Sequence, residues 1–133
     1  MFKLKSMTLA MGLALSASAI ALPLEIQFTN ETNIGLNTSV AGLPGRGIEA
    51  NVSKNVFLGI LQIGCYQAGV MHNCPIDFFD RSTGEKVASV RINTENLTLT
   101  SAPTIYGKYT ESFFVSGWET SPITHIKISN KKA

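Results

Sequence analysis

Two cysteines, two histidines and nine carboxylates are the side chains in this sequence whose types lend themselves to chemistry. Cys65 and Cys74 stand nine residues apart with His72 between them. A thiol pair so placed can close a disulfide or, with imidazole and carboxylate, contribute to a zinc site. Catalytic redox exchange favours C-x-x-C, where a helix start activates one thiolate, and this spacing does not supply that. Zinc needs three or four ligands, so the cysteines would have to stay reduced, or His72 would have to recruit Asp77 and Asp80. Those acids have simpler places. Asp77 alternates with Ile76 and Phe78 as a strand residue does, and Asp80 opens the stretch DRSTGE as an Asx-type turn initiator. No metal and no cofactor is therefore expected. Cys65 and Cys74 are expected to form a structural disulfide, worth about 2.5–3 kcal/mol in the chain-entropy picture.

Nucleophilic and phosphate chemistry fare no better. There is no G-x-S-x-G, and His72 and His125 have no recognisable partner spacing. A carboxylate pair for glycoside hydrolysis could be drawn from any of the nine acids, so none is singled out. Gly42 to Gly47, reading GLPGRG, lacks the Gly-Lys-Ser/Thr ending of a phosphate loop. Pro44-Gly45 reads as a turn centre, with Arg46 projecting from an exposed tip where it can meet an acidic group on a partner. Catalysis is not expected.

Residues suited to binding are a better prospect. Trp118 lies in SGWETSP, a segment bounded by glycine and proline, and Tyr106 and Tyr109 flank Gly107. Rigid rings on loops offer large contact area at low entropic cost, although a tryptophan here also suits a lid over the core. The candidate partner-binding set is thus Trp118, Tyr106, Tyr109 and Arg46.

Strands must carry these residues. Leu24, Ile26 and Phe28 alternate with Glu25, Gln27 and Thr29; Ile34, Leu36 and Val40 continue the theme; Ala88, Val90 and Ile92, then Leu97 and Leu99, repeat it. Val56 to Ile63 is almost continuously apolar, the pattern of a central strand buried on both faces. Its end would then be joined by the disulfide to a strand over Ile76–Phe79. Tyr109–Val115 and Ile123–Ile128 complete roughly eight strands, with a hairpin at Asp80–Glu85 turning on Gly84. The expected fold is all-β: a small single-domain antiparallel β-sandwich, or flattened barrel, over residues 22–133. Phe57, Phe78, Phe79, Phe113 and Phe114 belong to core or half-buried positions. Sequons at Asn30, Asn37, Asn51 and Asn96 are what an Asn- and Thr-rich β protein yields by chance.

Residues 1–21 read as an export signal: Lys3 and Lys5, an apolar run over Met7–Leu15, then A-x-A sites ending at Ala19 and Ala21. This is of the bacterial kind, and cleavage after Ala21 is preferred. Removing Lys3 and Lys5 leaves nine basic against nine acidic residues. A neutral chain lacks the basic stripe that nucleic acid requires. These readings together describe an exported binding protein, periplasmic or extracellular, contacting protein or glycan through loops near Trp118 and Gly42–Gly47. A membrane-active protein is the alternative, requiring Trp118, Tyr106 and Tyr109 to gather at one end; a hydrolase inhibitor is another.

Overall fold

The computed structural model describes residues 21–131; the expected leader lies outside them except for Ala21. Nine strands form among the described residues: β1 (Glu25–Glu31), β2 (Leu36–Val40), β3 (Leu43–Ile48), β4 (Val52–Phe57), β5 (Cys74–Asp80), β6 (Lys86–Asn93), β7 (Thr98–Ile105), β8 (Phe113–Ser116) and β9 (His125–Asn130). A four-stranded sheet runs in the order β4-β1-β9-β8, and a five-stranded sheet in the order β3-β2-β5-β6-β7. The expected sandwich is the observed fold. One pairing departs from the antiparallel expectation: β9 runs parallel to β1, with Ile126 beside Phe28.

Alternation places the core. Ile26 and Phe28 of β1, with Ile126 and Ile128 of β9, face Ile76 and Phe78 of β5 and Val90 and Ile92 of β6. Phe28 and Phe78 meet edge-on across the gap, their ring centres 5.8 Å apart, the aromatic geometry that the ring quadrupoles favour. Asn30 is fully buried and donates to the carbonyls of Ile34 and Ile48 while accepting from Thr32. That sequon is a structural knot rather than an accessible site.

The apolar run Val56–Ile63 is not one strand. It divides at Leu58, where helix α1 (Leu58–Gln67) begins. Leu58, Leu61 and Cys65 recur at i, i+3 and i+7 and are the residues it buries, a helical period hidden inside a continuous apolar stretch. Gly59 and Gly64 also weaken a strand. The helix ends where Gly69 takes φ +74°: its N–H reaches the Tyr66 carbonyl, and the Val70 N–H reaches that of Cys65. These are the two bonds of a Schellman cap. The disulfide Cys65–Cys74 is present, with both residues fully buried, and it joins α1 to β5 rather than two strands.

GLPGRG is likewise not a loop tip. The turn falls earlier, at Ala41-Gly42, both with positive φ, and Leu43–Ile48 continues as edge strand β3. Pro44 is tolerated there because an edge strand can do without one donor. Opposite Thr38 the register slips between Asn37/Gly47 and Ser39/Pro44, so Gly45 and Arg46 share one partner as a β-bulge. The Thr38 hydroxyl donates to the Arg46 carbonyl at 2.7 Å. A Cβ at position 45 would lie 2.6 Å from that hydroxyl oxygen, so the bulge needs its glycine.

Candidate functional site

In each sheet the two edge strands leave a side where the sandwich can open. β7 and β8 border one such side and β3 and β4 the other. The strands β3 and β4 diverge from the turn joining Ile48 to Val52, leaving a groove of about 530 Å³ between them. Its floor includes Phe28, Thr38, Val40 and Leu61; Leu43, Pro44, Val56, Phe57 and Ile60 wall it, and Arg46 stands at its edge. Grooves of this size and composition are the usual form of small apolar sites.

Helix α1 extends this surface. It carries no charged residue, nor does any position from 55 to 76 except His72 when protonated. With Leu58, Leu61 and Cys65 turned into the sandwich, Ile60, Ile63 and Tyr66 point away from it. Together with Leu24, Leu43 and Phe57, these side chains are 53–78% exposed. A helix apolar all round is ordinarily buried all round, and a contiguous apolar patch normally marks a contact surface.

Of the residues nominated by sequence, Arg46 is the one placed at this groove. It is exposed, and among the described residues its guanidinium meets no carboxylate. Trp118 is on the opposite side. Its half-buried indole packs on the core, donates from Nε1 to the Val115 carbonyl at 3.2 Å, and borders a shallow hollow with Pro103, Ile105, Phe113 and Phe114. Tyr106 is half-buried, with the Lys86 ammonium 5.3 Å from its ring centre. Tyr109 is only 7% exposed and cannot join a surface set with Trp118. The strand expected over Tyr109–Val115 begins only at Phe113; Tyr109 sits in a 3-10 turn, Gly107–Glu111. Phe57 and Phe114, expected at least half-buried, are 53% and 42% exposed.

Tyr109 faces inward because of its hydroxyl. That group donates to Asp80 Oδ2 at 2.7 Å and lies 3.1 Å from Glu85 Oε1, which Lys108 pairs at 3.0 Å. Asp80 Oδ1 accepts from the Ser82 N–H and hydroxyl, the expected Asx turn. The Tyr109 hydroxyl is the main cause holding the Asp80 carboxyl below its ordinary value, while Lys108 does so for Glu85. Burial pushes the Tyr109 phenol up. These contacts pin the Asp80–Glu85 hairpin to the 3-10 turn.

A second polar row crosses the outer face of the small sheet. Ser53 Oγ, Thr29 Oγ1 and His125 Nε2 are linked by contacts of 2.7 Å each. Burial lowers the His125 pKa, helped by nearby Lys127. The three residues lie on adjacent strands and serve cross-strand pairing. His72 is exposed, 3.2 Å from Glu95. Asp77 takes its expected place in β5, 3.7 Å from Lys86. Among the described residues no three of His, Cys, Asp and Glu gather as a metal-binding group.

The residues of the apolar side that sequence reasoning passed over are Leu43, Phe57, Ile60, Ile63 and Tyr66. Two signals could have found them: the uncharged stretch from 55 to 76, and the i, i+3, i+7 spacing of Leu58, Leu61 and Cys65.

Fold and site thus define a small disulfide-stapled β-sandwich with one apolar open side. No protein-family model and no curated protein sequence matches the chain. Among solved structures it is similar to the Legionella pneumophila type II secretion system substrate NttC, with a TM-score of 0.62 and 18% identity, covering 83% of this chain and 100% of that one. At that identity the likeness is one of fold.

Proposed function

We propose that this chain is an exported, non-catalytic binding protein whose working surface is the β3–β4–α1 side. Export is supported by the signal-like residues 1–21, by the disulfide, which oxidising compartments favour, and by a fold shared with a type II secretion substrate. The observation that carries the binding role is the uncharged helix α1, whose Ile60, Ile63 and Tyr66 remain exposed beside an apolar groove.

Gly42–Gly47 is mostly edge strand and Trp118 packs on the core, which supports an apolar partner over a glycan stacked on loop aromatics. Binding of Nile red, an uncharged apolar dye, tests this directly. Enhanced emission with wild-type protein is expected, lost in Leu43→Lys and Ile60→Lys and retained in Trp118→Phe. No enhancement, or enhancement indifferent to the two lysines, would overturn the reading.

A further inference from the structure

Arg81, Lys86, Lys108 and Lys127 each lie within 4 Å of a carboxylate. Among the described residues, Arg46, Lys54, Arg91 and Lys131 do not; Lys131, beside the Trp118 hollow, donates to the Thr110 carbonyl, and the other three border the apolar side. Arg46 edges the groove; Lys54 stands on β4 two residues before Val56, which lines it. Arg91 lines the hollow that also contains Tyr66 and His72, by the C-terminal end of α1. No Asp or Glu occurs from position 50 to 76. Glu25 stands opposite Phe57 in register, and Glu95 meets His72 at 3.2 Å beside the hollow, next to Thr94, whose carbonyl accepts from Gln62 of α1.

From this arrangement we infer that the β3–β4–α1 side docks on an anionic lipid bilayer, with α1 lying in the plane of the interface. The inference rests on the binding surface proposed above and names its partner. Apolar side chains between cations that lack internal partners match both layers of an anionic membrane, acyl chains inside and phosphates outside. Tyr66 and Phe57 supply the aromatic rings that settle at that boundary. At 10 residues the helix is about 15 Å long, and no described helix is long and apolar enough to cross a membrane. Leu58, Leu61 and the Cys65–Cys74 bridge already hold α1 against the sandwich. Docking therefore does not have to order it, and preorganisation of this kind strengthens binding.

Co-sedimentation of the oxidised protein with vesicles tests the inference, using phosphatidylcholine alone and phosphatidylcholine mixed with phosphatidylglycerol. The expected result is sedimentation with the mixed vesicles, weak sedimentation with the neutral ones, and release as salt rises. Combining Ile60→Ser with Ile63→Ser should weaken binding at least about tenfold. Arg46→Gln and Arg91→Gln should each weaken it about fivefold. An unchanged melting temperature in every variant shows that folding is intact. Failure to sediment while Nile red still reports the groove would overturn the bilayer and leave the groove standing; failure of both removes the two together. A dimer in analytical ultracentrifugation that Ile63→Ser dissociates, without vesicle binding, would assign the face to a second copy and overturn the inference. Binding indifferent to Ile60→Ser and Ile63→Ser would do the same.

Discussion

Between β7 and β8, the indole of Trp118 lies on the core with Pro103, Ile105 and Phe113 beside it, and its N–H is spent on the Val115 carbonyl. Between β3 and β4, the corresponding opening remains a groove, and the helix beside it turns Ile60, Ile63 and Tyr66 outward. Both sides are rich in carbon. What differs is where the apolar surface goes: one side uses it within the fold, while the other leaves it exposed, with Arg46 and Arg91 beside it. Exposed apolar surface is thus more informative here than the identity of the largest aromatic residue. A tryptophan with its polar atom satisfied is structural, whereas isoleucines on an uncharged helix have no internal use.

The disulfide is the largest lever on this contrast, because it ties the open side to the core. Replacing Cys65 and Cys74 by serine should cost about 3 kcal/mol in chemical denaturation and should also abolish Nile red binding as α1 loosens. Trp118→Ala should cost about 2 kcal/mol, roughly half of what a fully buried tryptophan loses, with vesicle and dye binding intact. Loss of binding with little loss of stability would reverse the roles of the two sides.

Tyr109→Phe should cost about 1–2 kcal/mol, since it removes a hydrogen bond to a buried carboxylate without touching the groove. It carries a pH signature as well. Folding depresses the Asp80 pKa below 3.8, chiefly through the Tyr109 hydroxyl. The resulting stability is complete above that unfolded value and is lost as pH falls through the lower folded one. Tyr109→Phe should flatten this acid limb in denaturation curves; an unchanged limb would mean that the hydroxyl does not govern Asp80.

On the open side the expected stability effects are small or of opposite sign. No atom lies within 4 Å of a Cβ built at Gly64, so Gly64→Ala should raise stability by up to about 1 kcal/mol through helix propensity. A loss instead would mean that the fold itself requires this glycine. Ile63→Ser should change stability by less than about 0.5 kcal/mol, although vesicle binding is expected to fall.

The sandwich was legible because period-two alternation reports a face directly: Ile26/Phe28 and Ile76/Phe78 point where their spacing says. The disulfide followed from two cysteines in a chain whose first 21 residues read as an export signal. The open side was harder to read for two physical reasons. A continuous apolar run such as Val56–Ile63 satisfies strand and helix periods alike, so Leu58, Leu61 and Cys65 were masked by the isoleucines between them. Pro-Gly dipeptides mark turns on average, yet Pro44-Gly45 lies on an edge strand, where a missing donor and a bulge are tolerated. Tyr109 was misplaced because its partners, Asp80 and Glu85, are distant in sequence and meet it only through the fold.

The most direct measurement compares two single-tryptophan proteins, the wild type with Trp118 and a Tyr66→Trp, Trp118→Phe variant. Acrylamide quenching would be followed for each, free and with phosphatidylglycerol-containing vesicles. Trp118 is expected to be partly shielded and indifferent to vesicles, while the indole introduced by Tyr66→Trp is expected to be open in the free protein and protected on the membrane. Vesicle-induced protection of Trp118, with the indole at position 66 remaining open, would place the working surface on the other side of the sandwich.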